Sequence, residues 1–149
     1  MIKKVISGGQ KGVDRIGLEV AKELNIPTGG TAPKGYKTED GDDLSLKQFG
    51  LVEDASEKYT SRTEKNVINS NATVIFGDVT SKGSKQTIKF LEKHNKKYIV
   101  NPTAAGLKRF IKENTVLILN VAGNRASKLK IEQIESITQV LREGLQYEK

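Results

Sequence analysis

Lys3-Lys4-Val5-Ile6-Ser7-Gly8-Gly9-Gln10-Lys11-Gly12-Val13-Asp14-Arg15 reads as a strand, a glycine-rich turn and the opening of a helix. The strand, Lys3 to Ser7, stops where Gly8, Gly9 and Gly12 let the backbone turn sharply. From Val13 the residues Val13, Ile16, Gly17, Val20, Ala21 and Leu24 recur at helical spacing and form one continuous apolar face. Asn25 and Pro27 end that helix, and Ile26 to Thr31 forms a short second strand that leaves through Gly29-Gly30.

The same alternation continues along the chain. Ala32 to Asp54 is irregular and rich in Gly, Pro, Lys and Asp, a long connection of the kind that carries function or moves. Tyr59 to Asn69 predicts a helix, with Ser61 or Thr60 as N-cap and Glu64 placed for a capping box. Ala72 to Phe76 is an unbroken buried strand ended by Gly77. Ser84 to His94 predicts a helix, Lys97 to Val100 a strand, and Thr103 caps a further helix that buries Ala104, Leu107, Phe110 and Ile111. Val116 to Val121 is the most hydrophobic strand, broken by Ala122-Gly123-Asn124. Ile131, Ile134, Thr138, Leu141 and Leu145 stripe the final helix, which Ile137 and Val140 widen enough to suggest burial against a second copy in a dimer or tetramer.

About five strands alternating with helices predict an α/β fold, a Rossmann-like open parallel sheet with helices on both faces and a single domain over residues 1–149. Ligands of such sheets sit beyond the carboxyl ends of the strands. The loops after Ser7, Thr31, Phe76, Val100 and Val121 should therefore converge.

Composition narrows the chemistry. The chain has no cysteine and one histidine, His94, so disulfides, thiolate metal sites and cysteine nucleophiles are excluded. His94, at the end of a lysine-rich helix, reads as a favourable C-terminal charge with no evident partner for a dyad. The acidic group Glu39, Asp40, Asp42 and Asp43 reads as a solvated loop rather than a metal site. No apolar run approaches the roughly 18–20 residues of a membrane span, and no signal-peptide core follows Met1, which together point to the cytoplasm. A net charge of +7 favours anionic partners, but 20 of the 25 cations are lysines scattered along the chain, a pattern of a solubilised surface rather than of nucleic-acid binding.

Two loops are candidate anion sites. In the first, Gly8-Gly9-Gln10-Lys11-Gly12 presents backbone N–H groups at a helix start, aided by Lys11 and Arg15; Asp14 opposes an anion there unless it accepts hydrogen bonds from a ligand's sugar or ring. A purely structural double glycine explains the same string equally well. In the second, Gly77 to Thr87 holds Thr80, Ser81, Gly83, Ser84 and Thr87, with Lys82 and Lys85. Its spacing and its Ser84-Lys85 order fail the Walker A pattern, which leaves a hydroxyl- and amide-lined anion subsite or simple N-capping by Ser84. Arg62 and Asn66 share a helix face, by local criteria a solvated one.

Several separated blocks resemble one known pattern. They are Ile6 to Arg15; Ala32-Pro33-Lys34-Gly35 with Glu39-Asp40-Gly41; Tyr59 to Val67 with Ser70; and Asn120 to Lys128. Together they resemble the putative molybdenum carrier family of the SLOG superfamily, Rossmann-like proteins that bind nucleotides and their derivatives. The resemblance implies an oligomer that binds molybdenum cofactor or another phosphorylated, nucleotide-like ligand. It further implies that Gly8, Gly9 and Gly12 take the phosphate, that Gln10, Lys11, Asp14 and Arg15 flank it, and that Lys34 and Gly35 line the mouth. Arg62, Thr63 and Asn66 would then face the ligand, with Gly83, Ser84 and Thr87 in a second phosphate loop and Arg125 from the last block beside them.

Two departures qualify the pattern. Gly77 to Thr87 contains neither the P-G-G-x-G-T string nor the glutamate of the superfamily's phosphoribohydrolases, and Asn124 stands where proline is expected. The expectation is thus a binding protein, with molybdenum cofactor as a cargo held by phosphate and pterin because no cysteine can ligate the metal. A sensor or sequestering protein for an ADP-ribose-type or cyclic nucleotide signal is the first alternative. A nucleoside-monophosphate phosphoribohydrolase, with Asp14 as its one placed carboxylate, is the second.

Overall fold

The computed structural model describes residues 1–146. Six strands, β1 (Lys4–Ile6), β2 (Thr28–Ala32), β5 (Leu51–Glu53), β6 (Ala72–Phe76), β7 (Lys97–Val100) and β8 (Ile118–Gly123), form one sheet in the order β5-β2-β1-β8-β6-β7. Every pairing in it is parallel. The helices are α1 (Val13–Glu23), α2 (Tyr59–Ile68), α3 (Lys82–Lys93), α4 (Ala104–Glu113) and α5 (Ile131–Gly144). This is the Rossmann-like α/β architecture that the alternation predicts.

The alternation of side chains along β6 explains the layers. Val74 and Phe76 pack into the main core with Val13, Val20, Leu107 and Leu141 from α1, α4 and α5. Ile75, pointing the other way, packs with Val67 of α2 and Leu91 of α3. A third cluster, Leu18, Ala32, Tyr36, Leu46, Phe49 and Leu51, anchors the connection after β2.

That connection is where the sequence reading falls short. It holds the edge strand β5, a small hairpin of β3 (Lys37–Thr38) and β4 (Gly41–Asp42), and 3-10 turns at Lys34–Tyr36 and Leu44–Phe49. Nor is its acidic group a loose solvated loop. Glu39 accepts from the Ser127 amide and hydroxyl, Asp40 pairs with Lys11 at 3.1 Å, and Asp43 pairs with Arg15.

Other differences are local. Helix α2 starts at Tyr59 behind Lys58, so Ser61 and Thr60 are inside it, and Glu64 turns away from its N-terminus to meet Lys93 and His94. His94 therefore has a carboxylate partner, 2.7 Å from its Nε2. Helix α3 is capped by Ser81, not Ser84, and β8 runs through Ala122 and Gly123 because β6 continues to Phe76 beside them. Thr103 caps α4 as expected. The wide stripe of α5 is used inside the chain: Ile134, Ile137, Val140, Leu141 and Leu145 join the main core, leaving Ile131 exposed.

Candidate functional site

Beyond the carboxyl ends of β1, β6 and β8 lies an open cleft of about 1050 Å³. Its walls come from the turn after β1, from α2, from the loop after β6 with the start of α3, and from the end of β8 with the loop that follows. This is where the strand order reverses, the position at which open α/β sheets hold ligands. Six cations, Lys37, Lys58, Arg62, Lys82, Arg125 and Lys128, face three carboxylates, Asp14, Glu57 and Asp78.

The floor is polar and buried. Asp14 is only 4% exposed; its Oδ2 accepts from Arg62 Nη1 at 3.3 Å and from the Gln10 amide at 3.3 Å. Burial pushes the Asp14 carboxyl above its ordinary value despite Arg62, and burial likewise lowers the Arg62 guanidinium despite Asp14. Each charge thus loses more by desolvation than the pairing returns, a costly arrangement that marks functional sites more often than stabilising ones. Arg62 Nε and Gln10 Oε1 are buried without a hydrogen-bond partner, while Gln10 Nε2 donates to the Lys37 carbonyl at 2.8 Å. Asn66 clasps Thr31 through both its amide and its carbonyl, at 2.8 and 3.0 Å.

Two amides of the glycine turn, and two of the helix behind it, are committed within the chain. Gly9 N–H donates to Ser7 Oγ, Gln10 N–H to Asp14, Val13 N–H to the Asn124 carbonyl and Arg15 N–H to the Gln10 carbonyl. Its glycines serve close packing. A Cβ on Gly8 would collide with the Arg62 guanidinium, and one on Gly9 would lie 2.8 Å from Leu46 and Leu51. At Gly12, with φ 119°, a Cβ would lie 2.6 Å from the Ala126 amide. Asp14 accepts from an amide of the turn itself.

The start of α3 is arranged differently. The first amides of a helix have no acceptor within it. Ser81 Oγ takes the one from Ser84, and Gly83 faces open space. Ser84 is 4% exposed and its Oγ has no hydrogen-bond partner. Asn124 ties this loop to the one after β8: its Oδ1 accepts from the Asp78 amide, and its Nδ2 donates to Ser81 Oγ at 3.1 Å and to the Asp78 carbonyl. That is the structural use of the residue that replaces the expected proline.

Of the residues singled out from sequence, Gly8, Gln10, Asp14, Arg62, Thr63, Asn66, Gly83, Ser84, Thr87 and Arg125 come together around the cleft. Gly9, Lys11, Gly12, Arg15, Lys34 and Gly35 lie outside its walls. Arg62 and Asn66, solvated by local criteria, face inward instead. Sequence reasoning missed Tyr59, Asn120 and Asn124 as cleft residues. Asn120 carried a signal, a polar residue within the most hydrophobic strand; it is 3% exposed and donates to Thr73 Oγ1.

The fold is a Rossmann-like parallel α/β sheet with an open cleft beyond its strand ends. The chain belongs to the circularly permutated YpsA SLOG family, which matches residues 5–144. It is similar to the solved structure of a protein from Syntrophus aciditrophicus SB described as a "Putative molybdenum carrier protein". The two share 32% identity over 97% of this chain and 96% of that one, with a TM-score of 0.85. A reductase from Plasmodium falciparum, E-1-hydroxy-2-methyl-but-2-enyl-4-diphosphate reductase, shows only 14% identity and a TM-score of 0.40 over 93% of this chain and 52% of its own. No curated protein matches the chain. Among the described residues no helix is long and apolar enough to cross a membrane.

Proposed function

We propose that this chain binds and holds a phosphorylated pterin or nucleotide-like ligand in the cleft without turning it over, its phosphate at the start of α3. The observation that carries this reading is Ser84, buried with an unpartnered hydroxyl at a helix N-terminus where Gly83 leaves open space. Backbone amides and the helix dipole favour an anion there. The excess of cations around the cleft supports the same reading.

The name of the Syntrophus protein makes molybdenum cofactor the first cargo to test. With no cysteine in the chain, such a cargo is held by its phosphate and its ring rather than by its metal. The polar floor of Gln10, Asp14, Arg62 and Asn120 suits a ring that both donates and accepts hydrogen bonds.

Mass spectrometry of small molecules released on denaturing the purified protein tests the proposal. A phosphorylated pterin or nucleotide derivative is expected. A copurified ligand without phosphate would overturn it.

A further inference from the structure

Tyr59 stands between cations. The Arg125 guanidinium carbon lies 4.5 Å from its ring centroid, that of Arg62 5.6 Å, and Lys37 Nζ 5.4 Å. Arg62 and Arg125 are near enough to repel each other. Among the described residues only Arg62 of the two has a carboxylate, Asp14, against it; Asp78, on the loop after β6, accepts from the amide and hydroxyl of Thr80 through one oxygen.

The two arginines are anchored differently, Arg62 through its guanidinium and Arg125 through its backbone. Arg62 is fixed by Asp14, with its Nε buried and unpartnered. Arg125 has its backbone bridged to Gly12, and it follows Asn124, whose side chain bonds to Ser81, the cap of α3. Arg125 is therefore one residue from a direct tie to the helix start at which the phosphate is proposed.

Building on that reading, we infer that Arg62 and Arg125 form a second anion seat adjoining the start of α3, so that the cleft selects ligands carrying two linked phosphates over those carrying one. Two guanidiniums sharing one carboxylate leave a positive charge for an incoming oxyanion, and the fork of N–H donors suits a phosphate. Tyr59, faced by cations of the protein, serves as their platform. Of the ligand classes weighed from sequence, an ADP-ribose-type molecule has this chemistry.

Titration calorimetry of the purified chain with inorganic phosphate, pyrophosphate, AMP and ADP tests the inference. Pyrophosphate and ADP are expected to bind at least about tenfold more tightly than phosphate and AMP, the scale of one charge-assisted contact. Arg125→Gln should abolish that ratio by weakening pyrophosphate and ADP far more than phosphate and AMP, and Arg125→Lys should restore part of it. Lys128→Gln, a loss of charge at the rim, should weaken all four alike and keep the ratio. Equal affinity for one and two phosphates, or a uniform loss in Arg125→Gln, overturns the second seat while the first stands. Absence of binding by all four probes overturns both readings.

Discussion

Asp14 and Arg62 lie 48 positions apart in the chain and meet at 3.3 Å over Gly8, the guanidinium filling the space that any side chain at Gly8 would need. The first conspicuous motif of the sequence is thus built around an arginine from another helix. Several consequences of that contact can be measured.

Gly8→Val drives a branched side chain into the Arg62 guanidinium. The arginine must leave Asp14, and the strain of overpacking, about 1–3 kcal/mol by itself, adds to that loss. Near-native circular dichroism is expected, with a lowered melting temperature and no further stabilisation by pyrophosphate. A variant that melts and binds like the wild type would show that Arg62 is not seated on this turn.

Arg62→Ala removes the guanidinium that pairs with the buried Asp14 carboxylate. Stripping one partner from a buried pair costs about 3–5 kcal/mol, against less than about 1 kcal/mol for an exposed pair. Urea denaturation distinguishes the two ranges, and calorimetry should show weakened binding in the same variant. A change below about 1 kcal/mol would return Arg62 to the solvated class suggested by its local sequence.

Acid dependence should split into two opposing contributions. Burial raises Asp14 above its ordinary 3.8, so Asp14 favours the folded state most when protonated. That contribution is complete below pH 3.8 and declines as pH rises through the folded-state value. Glu64 is lowered from 4.5 by hydrogen bonds from His94 and Lys93, so its contribution is present above pH 4.5 and is lost on acidification. Unfolding free energies of the wild type and Asp14→Asn, compared from about pH 3 to about pH 8, isolate the first term. The wild type should lose stability relative to the variant as pH rises, and a flat difference would contradict the raised value.

Hydrolysis of nucleoside monophosphates is not expected. Cleaving a glycosidic bond needs a carboxylate or donor available to the ribose and the leaving base. Asp14 is engaged by Arg62 and the Gln10 amide, Asp78 by Thr80, and Glu57 is exposed at the rim. Chromatography after incubation with a panel of nucleotides should detect no released base. Turnover abolished by Asp14→Asn would make the protein an enzyme.

The sequence revealed the sheet more fully than the site. Apolar runs such as Ala72–Phe76 and the helical spacing from Val13 are local signals, and five of the six sheet strands follow from them. Strand β5 escaped because it is three residues long, lies at the sheet edge and exposes Val52. The glycines were legible as a turn but not in their use, since what each lies against comes from distant segments: Arg62, Leu46 with Leu51, and Ala126. For the same reason the helix carrying Arg62 looked solvated in isolation; the carboxylate that draws Arg62 inward is on another element.

The unequal count of guanidiniums and carboxylates around Tyr59 reaches beyond ligand choice. Two like charges held near each other oppose the folded state, and on the proposed reading an oxyanion that settles between them offsets that opposition by an amount that grows with the logarithm of its concentration. If the second seat holds, the stability of this protein becomes partly a property of its buffer, and a preparation in phosphate is expected to melt above one in chloride.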